Sequence, residues 1–207
     1  MAGTKRLPRA IREQQMLDAA IAEFAESGYS ETSMDAIAAR AEISKPMLYL
    51  YYGSKDELFS ACIERESGRF LEAMASGFDP TLRQREQTRI LVREFLRYVH
   101  DHAASWHVLY RVASSSAGFS QVVTKARAQI TGMITELIRQ GTTVAASDLD
   151  HELTALALVG AAEAVADRIS EGDVSIDRAT DLLLGITWRG LQGVGDGAGT
   201  DGSGAGE

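Results

Sequence analysis

Between Ser44 and Lys55 the chain reads S-K-P-M-L-Y-L-Y-Y-G-S-K, which crowds three tyrosine hydroxyls and two lysine ammonium groups into one short segment. Both groups donate hydrogen bonds to anionic oxygen, a chemistry suited to a phosphate backbone. Ser44 is a helix-capping residue type, and Pro46 fits a first helical turn, where the missing N–H costs nothing. The segment is too polar and aromatic for an ordinary core helix and too short to fold alone. Something outside the chain is therefore expected to touch it.

Other groupings that could do chemistry do not assemble into a catalytic set. His100, Asp101, His102 and His107 lie close in sequence. His100 and His102, however, would point about 160° apart on a helix, whereas zinc sites favour i,i+4 pairs or cysteine partners. Cys62 falls on an apolar stripe and reads as an inert core thiol. Ser114-Ser115-Ser116 lacks the surroundings of a nucleophile elbow, and no glycine-rich phosphate loop is visible. The expectation is no enzyme, no metal and no cofactor.

The elements that must position the segment read as helices. Ile11, Leu17, Ala20, Ile21, Phe24 and Ala25 form an amphipathic stripe over about 9–27, which Gly28 ends. Thr32 or Ser33 caps a second helix carrying Met34, Ile37, Ala38 and Ala41. Glu42-Ile43-Ser44 is a turn without glycine, and Ser44 caps a third helix that ends near Gly53. Ser54-x-x-Glu57 is a capping-box pattern opening a fourth. Short helix, tight turn, short helix is the helix-turn-helix layout.

Beyond it the pattern predicts long helices over about 54–77, 79–102, 120–140, 149–170 and 176–191, with a shorter one over 106–112. Asp148 and Ser175 are the expected caps of the last two, and Asp79-Pro80 opens the 79–102 helix. No period-2 strand and no repeat appears, so the fold class is all-α with about nine helices. The division predicted is 1–55 for the helix-turn-helix with its basic arm, 56–193 for a helical body, and 194–207 for a disordered glycine-rich tail.

Composition agrees with one cytoplasmic protein. The 207 residues are 45% hydrophobic, with three prolines and one cysteine, which suits helix and excludes an internal disulfide framework. No apolar run has membrane-spanning length. The net charge is -8, yet acids and bases balance through Lys55, so the whole excess of negative charge lies further on. Arg6, Arg9 and Arg12 in the N-terminal arm, with Lys45 and Lys55, make a local basic footprint on an acidic molecule. A solvated tail with scattered lysines would look the same on charge alone.

The stretch from Thr32 to Lys55 resembles the DNA-binding domain of the TetR family of bacterial transcriptional regulators. The residues carrying the likeness are Thr32, Ser33, Ile37, Ala38, Ser44, Leu48, Tyr49, Tyr51, Tyr52, Lys55 and Leu58, joined by Phe24-Ala25-Glu26 through Tyr29. The resemblance implies a homodimer that binds a palindromic operator and leaves it when a small molecule enters the C-terminal domain. It makes the chain a transcriptional regulator, a repressor in this reading. The alternative is a helical small-molecule-binding protein that no longer reads DNA.

On this reading Lys45 reaches guanine O6/N7, and Pro46 and Met47 meet a thymine methyl. Ser33, Ser44, Tyr49, Tyr51 and Lys55 hold phosphates, while Leu48 and Tyr52 face the core. Tyr51 stands where the family often has His. In the body, Phe70, Met74, Phe95, Trp106, Tyr110, Phe119 and Met133 are candidates to line an effector pocket, with Arg111 for an anionic group. Small residues Ala157, Gly160, Ala161 and Ala164, with Leu183, Ile186 and Leu191, are the expected dimer contacts of the last two helices.

Overall fold

A computed structural model describes residues 8–79, 81–113, 119–141, 147–172 and 174–194. Among them are nine α-helices and no strand: α1 Arg9–Glu31, α2 Met34–Arg40, α3 Lys45–Tyr51, α4 Lys55–Ser76, α5 Gln84–Asp101, α6 Ala103–His107, α7 Ser120–Gly141, α8 Asp148–Ser170 and α9 Ile176–Val194. Arg6, Ser114-Ser115-Ser116 and the tail from 195 onward lie outside the described residues. No described helix is long and apolar enough to cross a membrane.

The chain divides into two compact units. One comprises Met1–Glu72 with His102–Arg127, the other Ala73–Asp101 with Ala128–Glu207. The first unit thus extends past Lys55 and takes in a later stretch of chain. Its core joins Met16, Leu17, Ala20, Ile21 and Phe24 of α1 to Met34, Ile37 and Ala38 of α2, Leu48 of α3, and Leu58, Phe59, Cys62 and Ile63 of α4. Val108, Leu109, Val112, Ala113 and Phe119 complete it. Phe24, Phe59 and Phe119 meet edge to face, at 4.6 Å and 4.7 Å between centroids, with Tyr29 against the latter two.

Local chemistry explains the helix ends. Gly28 adopts φ 75° and ψ 173°, breaking α1 before a last turn to Glu31. A side chain would be strained at that φ. Thr32, buried, donates its hydroxyl to Gly28 O at 2.6 Å and Glu23 O at 3.1 Å. Ser33 caps α2 by accepting from Ala36 N at 3.1 Å. The turn after α2 is a Schellman closure, with Ile43 N donating to Ala38 O and Glu42 N to Ala39 O. Glu42 takes the left-handed position, φ 54°, that glycine usually fills.

Three boundaries differ from the sequence reading. The first residue of α5 is Gln84, because Asp79 Oδ1 accepts from both Thr81 N and Thr81 Oγ1, and the buried Gln87 side chain bridges Asp79 N and Gly77 O. These bonds favour a turn where a helix was expected. The cap of α8 is Ser147, not Asp148, in a reciprocal capping box with Asp150. The stretch read as one helix over 106–112 is α6 followed by a π-turn at Val108–Val112.

In the second unit, Leu96, Ile169, Ala179 and Leu183 form the core, with Val92, Phe95, Ala161, Ala162 and Val165 packed on it. Arg89 pairs with Asp181 at 2.9 Å and Arg93 with Asp177 at 3.3 Å. Four-residue steps in opposite directions show that α5 and α9 run antiparallel.

A buried ion network ties α4 to α1. Glu66 is 1% exposed and accepts from Arg65 at 2.6 Å and Arg69 at 3.2 Å; Arg65 also meets Asp18 at 2.7 Å. Gln14 Oε1 accepts from both arginines. Removing one member of such a group leaves uncompensated buried charge. Glu66→Ala should therefore lower stability by about 3 kcal/mol, read as a lower urea midpoint at unchanged m-value.

Candidate nucleic-acid interface

Of the seven residues of α3, Leu48 alone is fully buried. Lys45, Pro46, Tyr49 and Leu50 are exposed, Leu50 at 82%. The helix is thus pinned through one leucine and presents the rest of its surface outward. Ser44 occupies the N-cap with extended backbone but makes no side-chain cap bond, so its hydroxyl is available at the same end as Lys45 and Pro46. Ser33 is exposed at the start of α2.

The remaining expected contacts are placed differently. Lys55 Nζ donates to Tyr29 O at 2.8 Å, Thr32 O at 3.0 Å and Ser30 O at 3.2 Å, and lies 4.5 Å from the Tyr29 ring centroid. All three ammonium donors are engaged by the end of α1, which gives Lys55 a structural role that the sequence reading did not include. Tyr51 is half-buried beneath Arg9, whose guanidinium stands 5.3 Å from its ring centroid. Met47 is half-buried, and its Sδ accepts from Arg12 at 3.1 Å.

Arg9 and Arg12 therefore do not belong to a swinging arm. They sit in the opening turns of α1 and brace α3, and Arg9 is also paired with Glu13 at 2.9 Å. Arg40 is likewise taken up by Glu23 and Glu26. Lys45 pairs with Asp35 at 2.7 Å, and the hydrogen bond that the ammonium donates to that carboxylate raises its pKa above the ordinary value.

An outward-facing short helix with a cation and a proline at its N-terminus, held by two helices through a tight turn, is the arrangement that enters a major groove. The comparisons with known proteins agree. Residues 16–62 match the model of bacterial regulatory proteins of the tetR family, and residues 84–190 match the tetracyclin repressor-like C-terminal domain.

This chain belongs to the TetR family.

A TetR-like transcriptional regulator from Rhodococcus sp. RHA1 is 55% identical, with a TM-score of 0.83 over 91% of this chain and 100% of that one. The HTH-type transcriptional activator FasR of Mycolicibacterium smegmatis is 32% identical over 51% of this chain and 48% of its own length. A transcriptional repressor of Streptomyces coelicolor is 42% identical over 25% of this chain and 27% of its own. The chain thus spans less than half the length of these curated relatives. At the level of the family it is a DNA-binding transcriptional regulator.

The candidate effector residues fall into both units. Phe70, Trp106 and Phe119 are buried in the first, where Phe119 is an edge-to-face partner within the core. Trp106 stacks on the half-buried Tyr110 at 3.6 Å, and Arg111 is exposed. In the second, Met74 is buried, Phe95 is half-buried against the core, and Met133 is 41% exposed. Among the described residues no group of three or more His, Cys, Asp or Glu gathers for a metal. Cys62 is buried, and burial pushes its thiol up to about 12 against a smaller opposing effect of Arg65.

For the dimer, Ala157, Ala164 and Ile186 are exposed, Gly160 and Ala161 are half-buried, and Leu183 is used by the unit's own core. The side chain of Leu191 lies outside the described residues. The sequence reading missed the exposed leucines Leu149, Leu153 and Leu156, and on the first three helices it missed Leu50 and Asp35. Leu50 was reachable by arithmetic, since it stands one helical turn after Pro46. Asp35 was not, because only the tertiary turn brings it to Lys45.

The Lys55 geometry separates fold from binding. Lys55→Met should lower stability by about 2 kcal/mol, the scale of hydrogen bonds to a charged group. The salt dependence of DNA binding, compared at a temperature where both proteins are folded, should be unchanged. A slope reduced by about one would return Lys55 to the phosphate contacts.

Proposed function

We propose that this regulator is a repressor that binds a palindromic operator as a homodimer and is released by a small-molecule effector. The observation that carries the DNA reading is the α3 surface, where Lys45, Pro46, Tyr49 and Leu50 are exposed around a single buried leucine. Lys45 donates to guanine, Pro46 and Leu50 meet thymine methyl groups, and Ser33, Ser44 and Tyr49 hold phosphates. Repression needs no activating surface, since a dimer seated on a promoter excludes polymerase by its bulk.

The dimer reading rests on apolar exposure in the second unit. Leu149, Leu153 and Leu156 follow i, i+4, i+7 spacing on α8 and are 61%, 54% and 44% exposed; Leu182 and Ile186 on α9 are each 56% exposed. Two such helices from each protomer make a four-helix bundle with a two-fold axis. Two heads one or more DNA turns apart, roughly 34 Å or a multiple, then match a palindrome.

The effector reading is supported by His151, which is 8% exposed with both ring nitrogens lacking a hydrogen-bond partner. Buried polar atoms are usually satisfied, so a polar group on an effector is the partner we assign. Met74, Phe95 and Met133 supply apolar contacts in the same unit.

Three measurements test this reading. Purified protein should bind selected genomic fragments saturably, with log K falling linearly in log salt, and adding it to a transcription reaction should reduce the product from that promoter. Equal affinity for all fragments at every salt would overturn DNA reading, and increased product would overturn repression. Leu153→Glu combined with Ile186→Glu should convert a dimer to a monomer in sedimentation at micromolar concentration; a dimer that persists would place the interface elsewhere.

A further inference from the structure

Asp35 is the least expected residue at the reading head. It comes from the first turn of α2, and its Oδ2 lies 2.7 Å from Lys45 Nζ at the first position of α3, with the two side chains 68% and 47% exposed. As a fold contact an exposed pair contributes at most about 1 kcal/mol. Toward phosphate the carboxylate is a liability, because it repels the backbone and neutralises the lysine beside it. The pair does suit one feature that phosphate lacks.

In the major groove a G·C pair presents guanine N7 and O6 as adjacent acceptors, followed by the cytosine N4 amine as donor. An ammonium with a carboxylate alongside is the complement of that order. An A·T pair presents acceptor, donor, acceptor and methyl. There the carboxylate can still meet the adenine N6 amine, but the ammonium finds one acceptor, adenine N7 or thymine O4, in place of the two adjacent ones that guanine offers.

We propose that Asp35 and Lys45 form one reading unit for a single G·C pair in each half-site. Lys45 donates to guanine O6/N7, and Asp35 accepts from cytosine N4 while holding the lysine in place. This rests on the DNA reading proposed above. In this arrangement Asp35 weakens binding to random DNA and sharpens the preference for the operator, so it sets specificity at the expense of affinity.

The test selects bound duplexes from a randomised pool with the full chain at fixed salt and sequences them, alongside titration of a random duplex. Wild type should prefer G·C by about tenfold or more at one position per half-site. Lys45→Ala and Asp35→Ala should each reduce that preference to below about threefold, at the same position and no other, the scale of one lost base contact. The double variant should lose nothing further there. Random-duplex affinity should fall in Lys45→Ala and stay level or rise in Asp35→Ala.

Asp35→Ser, which keeps a residue favoured at helix starts, repeats the measurement should the alanine variant fold poorly. An intact G·C preference in both Asp35 variants would overturn the proposal, as would a uniform affinity change with preferences retained. Absence of any base preference in wild type would instead remove DNA reading itself, so the two failures are distinguishable.

Discussion

Three carbonyl oxygens at the end of α1 converge on one ammonium group at the start of α4, and the placement of the reading head depends on that convergence. The break at Gly28 leaves the last turn of α1 with carbonyls that the helix cannot satisfy. Tyr29 O, Ser30 O and Thr32 O are satisfied together by Lys55, over the Tyr29 ring. A buried or half-buried carbonyl without a partner costs about 1–3 kcal/mol, so the lysine fixes where α2 can begin. The two helices of the reading motif are seven residues each, far below the length at which a helix is stable alone. They persist because α1 and α4 clamp them, through Lys55 at one point and through the Arg65–Glu66–Asp18 network at another.

The same economy governs charge. Several bases of the first unit already have acidic partners: Arg9 with Glu13, Arg40 with Glu23 and Glu26, Arg65 with Asp18 and Glu66, Lys45 with Asp35. A head built this way is not a cationic sheet. On the proposed reading its non-specific attraction to DNA, which scales with the number of phosphates neutralised, is expected to be modest, with recognition falling on the few groups that face outward from α3. In the proposed reading Lys45 is held by a partner that penalises unspecific contact, and Leu50 gains only where a methyl group meets it.

How much of this was legible in the sequence follows the range of each interaction. Ser33 as a cap, Gly28 as a break, Leu48 as the buried anchor and the antiphase of Leu48 with Tyr49 depend on neighbours within a turn or two, and residue type declares them. The C-terminal helices were legible as apolar stripes for the same reason. The carbonyl contacts of Lys55 were not legible because its type and position suit phosphate as well as carbonyl oxygen, and only the return of the chain past Tyr29 brings those carbonyls to it. Arg9 and Arg12 read as an arm because their partners, Tyr51 and Met47, lie some forty residues away in sequence. Val108, Leu109, Val112, Ala113 and Phe119 gave no sign of belonging to the first unit's core, since an apolar stripe says that a face is covered and not by what. That distinction also explains α9. Its apolar residues run nearly all round the helix, yet Leu183 and Leu184 are buried while Leu182 and Ile186 stand open. Hydrophobicity on a face that the protomer leaves uncovered is information about a second molecule, and it becomes readable only once the protomer's own packing has been subtracted.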